Sequence, residues 1–203
     1  SDKYFRKPPP GMPLLPPHAQ LVIFTDASTL AVGATMGYYD HRGDFRITGY
    51  ASRAFEPCVV RSCSAAEKEM LALAYILTVQ PALVMREKPT VIVTDSRGLA
   101  LLYNSKENFN TSSRIHRAVG LLKSLPIKVR VVHRPSTHPG ICISDALSRH
   151  LNKHYYIKDS VIQREAARKA QQLQEAGTIY LDPTEVLPAE ILKEDLDIND
   201  VDA

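Results

Sequence analysis

The chain has 203 residues, 44% hydrophobic and 23% charged, with a formal net charge of +3, which suffices for one domain with a sizeable core and a linker or tail. No apolar stretch is long enough to span a membrane, and no charged segment followed by an apolar one opens the chain, so neither a membrane protein nor a secreted one is expected. Charge is unevenly spread: residues 1–150 carry 19 Lys and Arg against 11 Asp and Glu, whereas residues 151–203 carry 6 against 11, and a basic body suits a nucleic-acid partner.

The first 18 residues hold six prolines and read as an extended linker. The apolar run Leu21 to Thr25, closed by Asp26, marks a central strand. Residues 32–39 and 44–53, joined by Asp40-His41-Arg42-Gly43, predict a hairpin and so three consecutive antiparallel strands. Ser64-Ala65-Ala66-Glu67 is a capping box, and the helix it opens runs through Leu71, Leu73, Ile76 and Leu77 to a stop at Pro81. Glu67 caps that helix. Glu69, two residues on, shares a face with Ala72, Leu73 and Ile76, where an acid needs a reason such as a bound cation.

A second apolar run, Val91 to Thr94, ends in Asp95. Short helices follow, one through Leu99, Ala100 and Leu102 and one after Ser112 and Ser113 with Ile115, Val119 and Leu122 on its apolar side. The last strand spans Ile127 to His133. After a loop from Pro135 to Ser144, a helix begins at Asp145. Strands and helices in this order predict a mixed α/β domain, a five-stranded mixed sheet with helices on both faces. The domain is expected at 19–150, and residues 151–203 as a thin helix to Gly177 and then a tail too acidic for a core of its own. Cys58, Cys63 and Cys142 lack the paired spacing of a disulfide framework or a zinc site, so reduced thiols in an intracellular protein are the expectation. The chain starts without Met, as either a trimmed chain or a piece released from a longer polyprotein would.

Asp26, Glu69, Asp95 and Asp145 thus stand at two strand ends, an early helical turn and a helix start. If the strands pair, the four carboxylates converge, and so dense a cluster is tolerable only around a cation. An oxygen-only site suits magnesium or manganese.

Six blocks carry a family resemblance: Phe24-Thr25-Asp26-Ala27-Ser28, Tyr50-Ala51-Ser52-Arg53, Ala66-Glu67-Lys68-Glu69-Met70-Leu71-Ala72, Val93-Thr94-Asp95-Ser96, His133-Arg134-Pro135 and Ser144-Asp145-Ala146-Leu147-Ser148-Arg149. In this order they resemble the RNase H domain of reverse transcriptases from gypsy-like LTR retrotransposons and related retroviruses. The resemblance implies an RNase H fold that cleaves the RNA strand of RNA–DNA hybrids during reverse transcription. It implies Asp26, Glu69, Asp95 and Asp145 as ligands of two Mg2+ ions, with Mn2+ as an alternative, Asp26 bridging both. A catalytic loop histidine would be His133 or His138. Backbone groups around Ala27 and Ser28, with Arg53, are candidate hybrid contacts. Implied partners are the polymerase domain of the same polyprotein and an integrase downstream; implied locations are a cytoplasmic virus-like particle, a virion core or the nucleus. The alternative from another class is an inactive, connection-type module that positions nucleic acid or a partner subunit. An integrase or transposase would order its acids Asp, Asp, Glu, which this chain does not.

Overall fold

β1 (Leu21–Ala27) is buried on both faces almost throughout, as an uninterrupted apolar run must be when it forms a central strand. It pairs antiparallel with β2 (Ala31–Tyr39), Asp26 opposite Gly33, and β2 pairs antiparallel with β3 (Phe45–Ala54). Asp40 holds the turn between them: its Oδ1 accepts from the N–H groups of Arg42 and Asp44 at 2.9 and 3.0 Å, and its Oδ2 accepts from Arg46 Nε at 2.7 Å. The computed structural model describes residues 14–79, 87–105, 113–150, 178–179 and 182–191.

A short helix not foreseen from the sequence, α1 (Pro57–Ser62), precedes α2 (Ala65–Val79). The capping box forms as expected: Ser64 N–H donates to Glu67 Oε2 at 2.8 Å and Glu67 N–H donates to Ser64 Oγ at 3.2 Å. β4 (Thr90–Thr94) lies parallel to β1, and β5 (Val129–His133) parallel to β4, with α3 (Arg97–Asn104) and α4 (Ser113–Ser124) between them in the chain. The five strands take the order 3-2-1-4-5. To this sheet a two-residue strand, β6 (Thr178–Ile179), adds itself antiparallel on the free edge of β3. At the other edge the Asn104 side chain acts as a substitute strand. Its amide nitrogen donates to Val131 O at 2.5 Å and its carbonyl accepts from Val131 N–H at 3.2 Å.

Two cores flank the sheet. On one face Leu21, Ile23 and Met36 meet Leu73 and Ile76 of α2, Leu99 of α3, and Ile115 and Leu122 of α4. On the other, Val22, Phe24, Phe45, Ile47, Val91 and Val93 meet Ile141 and Ile143 of α5 (Pro139–His150). Helices therefore cover both faces, as expected.

One more detail differs from the sequence reading. The last long helix begins at Pro139, six residues before Asp145, because proline suits a first helical turn that needs no donor there and Ile141 and Ile143 are buried on the sheet. Asp145 is thus inside a helix. Further on, the acidic segment makes no core of its own but lends one: Val186 of α6 (Pro183–Val186), Leu187 and Ile191 are buried with Phe24 and Phe45. The linker up to residue 13, the stop at Pro81, the helix to Gly177 and the last twelve residues of the acidic tail lie outside the described residues.

α5 lies close against the sheet. A Cβ on Gly33 would run into the backbone of Ser144 and Ser148, and one on Gly140 into the Phe24 ring. Three serine hydroxyls bind the helix from the sheet side and from itself: Ser144 Oγ donates to Phe24 O at 2.9 Å, Ser52 Oγ to Leu147 O at 2.9 Å and Ser28 Oγ to Ser148 O at 3.0 Å. Gly33→Ala is expected to destabilise the domain by about 3 kcal/mol, at the upper end of overpacking costs. Gly120→Ala on α4, where the added methyl meets open space, is expected to be neutral or to stabilise by up to about 1 kcal/mol through helix propensity. Urea denaturation of the two variants measures both.

Candidate active site

Parallel pairing of β1 with β4 aligns Thr25 with Thr94, so the next residue of each strand, Asp26 and Asp95, emerges at the same carboxyl end of the sheet. That end is where open α/β sheets gather their ligands. α2, fixed by its cap, brings Glu69 over it from the opposite side. One carboxylate oxygen from each of Asp26, Glu69 and Asp95 lies within 4.8 Å of the others.

Such proximity is electrostatically unfavourable, and the acids show it. Burial first, then the charges of Asp26 and Asp95, push the Glu69 carboxyl up to about 8, against a hydrogen bond from the Ala27 backbone that favours ionisation. Asp26, 6% exposed, is raised to about 6 by burial and by the charges of Asp145 and Asp95. Its hydrogen bond from Ser148 Oγ, 2.7 Å to Oδ2, works in the other direction. Asp95 is raised as well, by burial and by Asp145, while its own backbone N–H, His133 and Arg149 favour its charged form.

Asp145 is not among the three. Its Oδ1 accepts from Arg149 Nε at 2.6 Å, one helical turn on, yet it stands near enough for its charge to act on both Asp26 and Asp95. The two histidines part company. His133 ends β5 opposite Thr94, close enough for its charge to be felt by Asp95. His138 is buried, stacked on Phe24 with ring centroids 5.8 Å apart, and its Nδ1 accepts from Gly140 N–H at 3.3 Å.

The candidate substrate contacts are partly engaged within the chain. The Ala27 backbone serves Glu69, and Ser28 N–H donates to Ala31 O at 2.9 Å, closing the turn after β1. The Arg53 guanidinium lies over the Tyr75 ring, 5.1 Å from its centroid. Ser148 is a residue that sequence reasoning passed over. Three positions after Asp145 on a helix, it shares that residue's face, and this spacing was the available signal.

The residues fit a hard cation. Three carboxylates offer oxygen only, and Glu69 Oε2 is buried without a hydrogen-bond partner, a state that a positive charge relieves. Among the described residues no helix is long and apolar enough to cross a membrane.

The six-strand sheet with this arrangement of helices is an RNase H-like fold. It matches the crystal structure of RNase H1 from the halophilic archaeon Halobacterium salinarum NRC-1 with a TM-score of 0.50 and 15% identity, over 66% of this chain and 97% of that one. By sequence, residues 16–125 match the RNase H-like domain found in reverse transcriptase; this is more than half of the chain, which therefore belongs to that family. LC11-RNase H1 in complex with RNA/DNA hybrid also matches, with a TM-score of 0.46 and 14% identity over 63% of this chain and 93% of that one. So does the foamy viral protease-reverse transcriptase in complex with RNA/DNA hybrid, with a TM-score of 0.41 and 19% identity over 61% of this chain and 16% of that one. The chain spans a quarter or less of the foamy viral chains it matches. No curated protein matches it significantly.

The raised carboxyls make stability depend on pH and metal together. Glu69, with an ordinary value of 4.5 and a folded value of about 8, keeps its proton longer in the folded state than in the unfolded one. The metal-free protein is therefore expected to lose stability as pH rises from about 4.5 through 8, with Asp26 adding to the loss at the lower end. Mg2+ is expected to raise the Tm strongly at pH 8 and little at pH 5, where protons compete for the same oxygens. Glu69→Gln is expected to flatten the metal-free dependence and gain roughly 2–4 kcal/mol at pH 8. Thermal unfolding across pH, with Mg2+ or EDTA, measures each effect.

Proposed function

We propose that this domain is a ribonuclease H that hydrolyses the RNA strand of RNA–DNA hybrids during reverse transcription, within the Pol polyprotein of a gypsy-like LTR retrotransposon or a related retrovirus. The observation that carries the reading is the triad Asp26, Glu69 and Asp95, held within one ion's reach with a buried, unpartnered Glu69 Oε2. Membership of the reverse-transcriptase RNase H-like family supports the setting, in which a polymerase domain presents the hybrid and an integrase follows in the polyprotein.

Asp26, Glu69 and Asp95 are assigned to hold the cations. Asp145, now paired with Arg149, would be the fourth carboxylate to hold them. Two bound Mg2+ ions, or Mn2+, would supply an activated water and charge neutralisation at the leaving 3′ oxygen. The chain itself does the positioning. Ser148 donates to Asp26 Oδ2 and so fixes which oxygen of that carboxylate remains available. The Ala27 backbone orients Glu69 in the same way. His133, beside Asp95, is assigned to proton movement in preference to the buried His138. Arg53 and the Ala27–Ser28 turn are assigned to the hybrid, whose RNA strand is told apart by 2′-hydroxyls in a shallow minor groove.

The expected result is Mg2+-dependent cleavage of an RNA–DNA hybrid with none of duplex RNA. Asp95→Asn, a near-isosteric change at a half-buried acid, is expected to reduce the cleavage rate at least about a hundredfold while hybrid binding persists. Hybrid binding by the native chain without cleavage, in Mg2+ and in Mn2+, would overturn the enzyme reading in favour of a positioning module.

A further inference from the structure

Beyond α5, residues 178–179 and 182–191 make contact with both edges of the sheet. At one end β6 pairs with β3, Ile179 opposite Phe45 and Thr178 opposite Arg46. At the other, Glu190 Oε1 meets Arg130 Nε of β5 at 3.3 Å. Between them α6 is capped by Asp182, whose Oδ1 accepts from Thr184 N–H at 2.9 Å, and Val186, Leu187 and Ile191 are buried in the second core. Composition that would leave this segment unstructured on its own is thus overcome by the sheet's apolar floor.

What the segment covers matters more than its own anchoring. Val186, Leu187 and Ile191 share one cluster with Phe24 of β1 and with Ile141 and Ile143 in the amino-terminal half of α5. Glu185 Oε2 lies 3.9 Å from Nε2 of His138, the residue just before α5. His138 stacks on Phe24, and Gly140 of α5 lies directly against the Phe24 ring. Phe24 is two residues before Asp26 on the same strand face. The carboxyl-terminal half of the same helix carries Asp145 and Ser148, the latter bonded to Asp26. A helix of 12 residues is about 18 Å long and stiff, so its seat at one end sets the place of its side chains at the other.

We infer that residues 178–179 and 182–191 act as a strap that positions α5, and through it Asp145 and Ser148, against Asp26, so that the unit competent for metal binding extends past α5 to at least Ile191. This rests on the reading of the acids as a metal site. The strap residues lie outside the acidic cluster and act through the helix. Their effect should therefore be local, confined to α5 and the cluster, in contrast to a general loss of stability.

The test compares the full chain with chains ending at Gly177 and at Ile191, and with Val186→Asp and Val186→Ile in the full chain. Two quantities are read: Mn2+ affinity by calorimetry, and amide hydrogen exchange along α5 and α2. The chain ending at Ile191 and Val186→Ile should match the full chain in both. The chain ending at Gly177 and Val186→Asp should lose about ten- to a hundredfold in Mn2+ affinity, as supporting contacts to a metal site typically do. Exchange at Ser144 to Arg149 should speed up at least about tenfold while the middle of α2 keeps its protection. Unchanged affinity and unchanged α5 exchange in a folded strapless chain would overturn the inference, as would equal loss of protection in α2 and α5. If the shorter chain does not fold, Leu187→Ala and Ile191→Ala, read at a temperature where both are folded, decide by the same criteria. A full chain that binds Mn2+ yet cuts no hybrid would sink the ribonuclease reading and leave this comparison intact. A full chain that binds no Mn2+ would sink both.

Discussion

Three carboxylates within 4.8 Å of one another are the condition around which this domain is built. Left in water they would separate; here backbone geometry forbids it. Asp26 and Asp95 are successors of paired residues on adjacent parallel strands, and Glu69 is fixed by a helix whose start is locked by the reciprocal Ser64–Glu67 cap. Burial first, and the neighbouring charges second, raise the carboxyl pKa values of Asp26 and Glu69. A cluster that strains against its own charge is one that a cation would relieve where Asp26, Glu69 and Asp95 already stand.

The second constraint is the depth at which α5 lies. Gly33 faces Asp26 across the β1–β2 ladder and at the same time makes room for the helix backbone at Ser144 and Ser148. The position that admits the helix is thus next to the position the helix serves. Ser28, Ser52, Ser144 and Ser148 turn this close approach into hydrogen bonds between sheet and helix. Small residues here do what bulky apolar ones do elsewhere in the core, and they do it with directional bonds.

Much of this was legible from the sequence, for reasons that differ by element. The central strands are apolar runs ending in aspartate, and the capping box by itself separates Glu67 from Glu69. Less visible were features set by contacts distant in sequence. Pro139-Gly140 looks like a loop until Phe24 is seen beneath it. Val186, Leu187 and Ile191 sit among acids with no helical or strand period, so their burial is a property of the sheet they meet. The Ser148–Asp26 bond joins residues 122 positions apart. The spacing from Asp145 to Ser148 hinted at it only once that segment was known to be helical. The ion pair of Asp145 with Arg149, by contrast, is an i,i+4 relation that the same knowledge makes routine.

Asn104 gives the sheet a property unrelated to chemistry. An open β-strand edge invites a neighbouring molecule's strand to join it, and proteins suppress this by covering or interrupting the edge. In this domain the chain itself meets both margins: β6 pairs with the first two residues of β3, and one asparagine side chain answers the middle of β5 with a donor and an acceptor. Each margin is thereby interrupted as a template for strand addition, one by a short strand and the other by a single amide group.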